Sequence, residues 1–397
     1  MDVGLGIDIA KEFHWATAID DKGAVLIDRR VDNDPAAIDT LVAELAAIVA
    51  SGGTVTAGLD VLSGIAGLLT AMLHEAGIRC VHVPGLAVNR ARRATVGGEN
   101  KSDPRDAKVI AEQVRARDDL RPVEPPDERD VEIRLVVGRR RDLVVDQTRR
   151  AGRLRDLLTG IHPGLERVID PTHKASLVLL SRYVTPAEIR HAGQRRVIDY
   201  LLREGVRRTV AEPLAAAAMR AAAAQRIAVP GQQRTAELVR ELAADLLAGR
   251  DRLQGLEREL TELLDRHPDA ALIRSLPGIG ATLTAEFIAE AGNINRFHSS
   301  DALAAAAGLA PVLNQSGKVR NLRRASGGNK NLKRVFYQSA FCAIRVDPAS
   351  RAFYERKRAE HKRHHQALIA LARRRVNVLH AILRTRRPYQ PGGLKAA

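Results

Sequence analysis

Apolar and polar positions alternate through most of the first hundred residues. VGLGIDIA, HWATAID and AVLIDRRV read as three strands, with Asp20-Asp21-Lys22-Gly23 as the hairpin turn between the second and third. A three-to-four spacing of Ala, Leu and Ile then predicts a helix from Pro35 to Ala50. TVTAGLD follows as a fourth strand, GIAGLLTAMLHEAG as a helix ending at Gly77, and IRCVHVP as a fifth strand. A Gly-rich loop at Gly97 and Gly98 leads into an amphipathic helical run that begins at Asp103.

Against this pattern four acids stand out. Asp8 interrupts the apolar run VGLGIDIA, where an unpaired carboxylate is costly to bury. Asp60 closes TVTAGLD. Asp103 and Asp106, in KSDPRDA, lie three residues apart and so share one helix face. Each acid also has an ordinary reading. Asp103-Pro104 is a good helix start with Asp as N-cap, and Asp60 is a natural strand-end residue. Together they form the set that a hard divalent cation requires, Mg2+ (or Mn2+), and paired cations clamp a phosphodiester during hydrolysis or transfer. Three strands followed by helix, strand, helix, strand, helix is the order of a ribonuclease H-like α/β fold, in which these positions converge.

Pro122, Pro125 and Pro126 mark a boundary. From Asp127 to about His267 the pattern is almost entirely helical, with Leu238, Leu242, Leu246, Leu253, Leu256, Leu260 and Leu263 spaced as the seam of a helical hairpin or short coiled coil. A third region opens near Ala270. LIRSLPGIGATLTAEFIAEAG has the form of a helix-hairpin-helix, whose turn offers backbone N–H groups to a phosphate; an ordinary Gly-turned helix pair fits equally well. The expected organisation is therefore α/β plus all-α, divided at 1–121, 122–269 and 270–397. Beyond the hairpin lies GLAPVLNQSGKVRNLRRASGGNKNLKR, read as a polar loop that opens into a basic helix. Ser316 sits there beside Gly317 and near Lys318, Arg320, Arg323 and Arg324, cations that suit a scissile phosphate. Lys330, Lys333 and Arg334 extend the same candidate nucleic-acid surface. Ser326 is the alternative serine, with capping of the helix from Asn329 as its ordinary role.

Charge sharpens this picture. The chain of 397 residues carries a net +16. From Asn314 to Ala397 there are 21 Lys+Arg and 3 Asp+Glu, a net of +18, which leaves the first 313 residues at −2. Apolar residues interleave with that basic block, so it reads as folded protein facing a polyanion, above all nucleic acid. Cys80 and Cys342, the only cysteines, are too few for a zinc cluster or a disulfide framework and point to a reducing cytosol. No secretion signal is expected at Met1, and no apolar stretch is long enough to span a membrane.

GIDIAKEFHWA, the block VPGLAVNRARRATVGGENKSDPRDA, and the run LPGIG…NRFHSSDALAAAAGLAP…SGK…NLKR together resemble the insertion-sequence 110 family of transposases, related to the Piv DNA invertases. The likeness covers nearly the whole chain. It implies a RuvC-like first domain with a DEDD tetrad, which falls on Asp8, Asp60, Asp103 and Asp106; the second acid of that pattern is usually Glu. It also implies a C-terminal transposase domain whose nucleophile falls on Ser316 and a covalent serine–DNA intermediate. Further implications are double-stranded donor and target DNA, a homo-oligomeric complex, a noncoding guide (bridge) RNA made from the element's own end, and a cytoplasmic, nucleoid-associated location. Two other functions fit the residues without the resemblance. One is a RuvC-like nuclease using water as nucleophile, the other a non-enzymatic DNA-bridging protein.

Overall fold

The computed structural model describes residues 1–62, 64–94, 99–316, 319–323 and 325–391, with the side chains of Ser316 and Val319 outside the description. Gly97, Gly98, Gly317, Lys318 and Arg324 therefore lie outside the described residues. The chain forms two compact units, Met1–Pro126 and Asp127–Ala397.

The first unit is a mixed sheet with helices on both faces. Its strands are β1 (Asp2–Ile9), β2 (Phe13–Ile19), β3 (Val25–Asp32), β4 (Thr54–Leu59), β5 (Arg79–His82) and β6 (Arg121–Val123), in the order β3-β2-β1-β4-β5-β6. β1, β2 and β3 pair antiparallel, whereas β1–β4 and β4–β5 are parallel. The hairpin turn forms where the sequence places it: the Asp20 carboxylate accepts from the N–H groups of Lys22 and Ala24 at 2.9 and 2.7 Å. β6, absent from the sequence reading, is a three-residue edge strand antiparallel to β5, where Pro122 is tolerated.

The two-residue period of β1 sorts its side chains. Val3, Leu5, Ile7 and Ile9 join one core with Ile38, Leu41 and Leu45 of α1 (Pro35–Ala50) and Leu69 and Leu73 of α2 (Gly67–Glu75). Gly4, Gly6 and Asp8 take the opposite face. A smaller core of Val81, Val83, Val88, Val109, Ile110 and Leu120 fixes α3 (Gly85–Arg93) and α4 (Asp103–Ala116). The sequence reading missed α3, whose GLAVNRARR is short and arginine-rich.

The second unit is built on two 34-residue helices, α5 (Glu128–Ile161) and, after the short helices α6 (Pro163–Glu166), α7 (Lys174–Leu180), α8 (Pro186–Arg203) and α9 (Arg208–Ala224), α10 (Gln232–Asp265). Each long helix spans about 51 Å at 1.5 Å per residue. They run antiparallel, as the pairs Arg140–Glu257 and Arg150–Asp245 show. Their seam is tighter than a leucine stripe alone would give. A Cβ on Gly249 would sit 2.4 Å from Gln147 Nε2, which donates to the Leu246 carbonyl. One end of this hairpin packs with α6–α9. The other packs with α11 (Ala270–Ser275), α12 (Ala281–Ala291), α13 (Ser300–Ala306), α14 (Lys330–Val346) and α16 (His364–Thr385), with α15 (Pro348–Ala359) between the last two. The segment read as a polar loop is instead a hairpin of β7 (Val312–Ser316) and β8 (Val319–Arg323).

Candidate active site

Glycines position the first group of candidate residues. A Cβ on Gly6 would lie 2.0 Å from the Ala107 carbonyl oxygen and 2.3 Å from the Ala111 nitrogen, so only glycine lets α4 settle on β1. Gly58, the register partner of Gly6 on β4, does the same beneath Val114 and Ile110, at 2.5 and 2.7 Å. Gly4 faces Ala111 while Gly6 faces Ala107, so α4 runs against the direction of β1. Its first turn, with Asp103 and Asp106, therefore lies toward the strand end where Asp8 and Asp60 follow their glycines by two residues on the same face.

Asp103 is not the helix cap: Ser102 occupies that position and Asp103 is already helical. Burial, and after it the negative charges of Asp60, Asp106 and Asp103, push the half-buried Asp8 carboxyl up to about 7. Burial also raises Asp60, whose Oδ1 is enclosed with no hydrogen-bond partner among the described residues. Asp106 is differently placed. Arg92 of α3 directs Nη1 to both its oxygens, at 2.6 and 2.7 Å, and the two side chains are only 8% and 6% exposed. Among the described residues no three Asp, Glu, His or Cys side chains have metal-ligand geometry as they stand. The donor chemistry nevertheless fits a hard cation. Asp60 offers a free buried oxygen, Asp8 is destabilised by like charge, and Asp106 already binds a cation in the form of Arg92.

The second group belongs to the other unit. Ser316 ends β7, paired in register with Val319, and Arg320, Arg323 and Lys330 are exposed. Lys333 donates to the Gly308 carbonyl at 2.9 Å, and Arg334 lies 2.6 Å from the buried Glu286 carboxylate, so both also serve the fold. Ser326 does not cap α14. Asn329 does, its side chain accepting from Asn331 and Leu332 N–H at 2.9 and 3.0 Å. Gly328, the second glycine after Ser326, lets the loop approach the end of α13, since a Cβ there would lie 2.5 Å from the Gly308 nitrogen and 3.0 Å from the Ala306 oxygen. In the Pro-Gly-x-Gly turn, Gly278 (φ +83°) packs on α14, where a Cβ would sit 2.7 Å from the Ala343 nitrogen. That close approach accounts for the glycine without a phosphate.

Two transposase family models match, one over residues 5–163 and one, the IS116/IS110/IS902 family, over residues 270–355. The 42 kDa protein of insertion element IS900 from Mycobacterium paratuberculosis is 42% identical over 100% of this chain and 99% of its own length. This chain belongs to the IS110 family of transposases. The 44.8 kDa protein of IS116 from Streptomyces clavuligerus is 40% identical over 98% of the chain and 96% of its own length. A pilin gene-inverting protein of Moraxella bovis is 28% identical over 35% of the chain and 45% of its own length.

For this IS110-family protein, then, the first unit brings the four carboxylates to one sheet face, and Ser316 belongs to the second unit. Sequence reasoning missed Arg92, because nothing in NRARR tells which arginine turns inward. Among the described residues no helix is long and apolar enough to cross a membrane.

Proposed function

We propose that this transposase cuts and rejoins double-stranded donor and target DNA, with the four carboxylates of its first unit and Ser316 of its second as the reacting groups. The observation that carries the reading is the convergence of Asp8, Asp60, Asp103 and Asp106 on one face, made possible by Gly6 and Gly58. The strand order β3-β2-β1-β4-β5, with its first three strands antiparallel, supports a ribonuclease H-like, RuvC-like assignment for this part of the chain. Asp8, Asp60 and Asp103 would hold Mg2+ (or Mn2+), joined by Asp106 on release from Arg92. When bound, the cation would supply Lewis-acid stabilisation of charge on the scissile phosphate.

Ser316 is the nucleophile of this proposal. Its oxygen replaces a deoxyribose oxygen on phosphorus, its proton passing to the leaving hydroxyl, and a hydroxyl released from the other DNA then displaces the serine oxygen, which recovers a proton. One phosphoester forms as one breaks, so rejoining needs no high-energy cofactor. Arg320, Arg323 and Lys330, with Lys318, Arg324, Lys333 and Arg334, offset backbone charge, and the net +18 of the last 84 residues suits DNA and a structured guide RNA alike. A helix-hairpin-helix role for residues 272–292, functional divisions at 1–121, 122–269 and 270–397, a homo-oligomeric synaptic complex and a cytoplasmic, nucleoid-associated location complete the proposal.

Asp8→Asn and Asp106→Asn test it. Asp8→Asn should fold and bind DNA yet abolish recombination, because it removes a hard ligand while keeping shape. Asp106→Asn should also abolish it, but at a cost in stability, because it leaves Arg92 buried without its counter-charge. Recombination retained by both would remove the carboxylates from the mechanism. Sequencing of the nucleic acid that copurifies tests the RNA, which should be one discrete species.

A further inference from the structure

Trp15, the only tryptophan of the chain, is the cross-strand partner of Asp8. Directly opposed residues of an antiparallel pair point to the same face, with Cβ atoms about 5 Å apart. The Trp15 Cβ therefore stands beside that of Asp8, on the side away from Asp60, and the ring reaches from there toward β3. It is half-buried, yet among the described residues it joins neither hydrophobic core of its unit and stacks on no other ring or cation. Its one polar atom is already used: Nε1 donates to Asp28 Oδ1 at 2.7 Å, and Thr17 donates to the same oxygen at 2.9 Å. A large ring is thus held in one orientation without contributing to a core.

The next strand continues the surface. Arg30 pairs with Trp15 in register on the same face, stacks over Phe13 at 4.2 Å from the ring centroid, and bonds Asp32 at 2.7 Å. Asp28 and Asp32 leave this strip acidic despite Arg30. Acidic edges repel phosphates but not the uncharged faces of bases, so the rings suit bases while phosphates go to the cation site.

The geometry points to Trp15 as a substrate-contacting residue, its ring stacking on the DNA base next to the scissile phosphate, with Phe13 as the following step. This rests on the proposed carboxylate site. A ring fixed before binding loses little further conformational freedom, and base–aromatic stacking corresponds to roughly 5- to 150-fold in affinity per base.

As Trp15 is the sole tryptophan, its emission reports on this position alone. The full chain, in Ca2+ and low salt, is titrated with a dT 12-mer and with an abasic 12-mer, binding of each being followed separately by anisotropy. The dT 12-mer should quench and shift the emission, and the abasic strand should bind without doing so. An unchanged emission on dT binding, or equal quenching by the abasic strand, overturns the stacking. In single-turnover cleavage, Trp15→Leu should lose about ten- to a hundredfold and Trp15→Phe should stay within a few-fold of the parent. Asp8→Asn separates the two claims. Cleavage lost in Asp8→Asn but intact in Trp15→Leu refutes the role of Trp15 alone. Cleavage intact in Asp8→Asn refutes the carboxylate reading, and the quenching comparison then decides Trp15 by itself.

Discussion

Gly6→Ala is the smallest change that should dismantle the site. Its new methyl would lie 2.0 Å from the Ala107 oxygen, 2.3 Å from the Ala111 nitrogen and 3.0 Å from the Ile110 carbonyl carbon. All three are helix backbone, so no rotamer change relieves them. Ordinary contact begins near 3.4 Å, so α4 must retreat by about 1.4 Å or β1 must buckle. Overpacking of this kind costs about 1–3 kcal/mol, and a displacement near 1 Å at reacting groups costs on the order of a hundredfold in rate. Gly4→Ala is the internal control, because its closest approach is 3.0 Å, to the Ala111 oxygen, and a small shift absorbs it. Calorimetry should show the first unit's transition several degrees lower in Gly6→Ala and much less changed in Gly4→Ala. Hydrogen exchange over residues 103–116 should accelerate only in Gly6→Ala, and strand cleavage should fall with it. A Gly6→Ala protein with parental stability and a protected α4 would refute the packing of this helix on β1.

Three other outcomes follow from the same structure. Arg92→Met leaves Asp106 buried among like charges, so the metal-free protein should lose about 3–5 kcal/mol, and Mg2+ should raise its melting temperature by more than that of the parent. Stability of the metal-free first unit should fall as pH rises from about 4 to about 7. Across that window the folded state, with Asp8 raised to about 7 and Asp60 also raised, binds more protons than the unfolded state, and Mg2+ should flatten the slope measured by thermal melts. Gly138→Ala, inside α5 with nothing within 4 Å of the new methyl, should stabilise the second unit by about 0.5–1 kcal/mol in denaturant titrations.

Much of the first unit was legible because β1, β2, β4 and β5 alternate cleanly and α1 and α4 keep a helical period. What escaped depends on tertiary placement. β6 has three residues, one of them proline, and shows no period. β7 and β8 carry Asn, Gln and Arg on an exposed hairpin, so the pattern looks like a loop. The four acids were visible as odd residues in their segments. The Arg92–Asp106 pair was not, since it joins two helices across a loop. Ser326 was given the cap that Asn329 holds, an error of three residues in a run of small polar residues. The sequence reading gives Gly6 and Gly58 no role inside their strands and makes Gly278 a turn residue, whereas all three serve close contact between elements, which no local pattern reveals.

The central claim is that DNA is cut by transfer to Ser316 with the carboxylates in attendance. Its most direct measurement is denaturing electrophoresis of protein trapped on labelled donor DNA, comparing the parent with Ser316→Ala, Ser326→Ala and Asp8→Asn. The parent and Ser326→Ala should give a protein–DNA adduct, and Ser316→Ala and Asp8→Asn should give none although both bind DNA. An adduct formed by Ser316→Ala, or cut DNA with free ends in its place, would contradict the account.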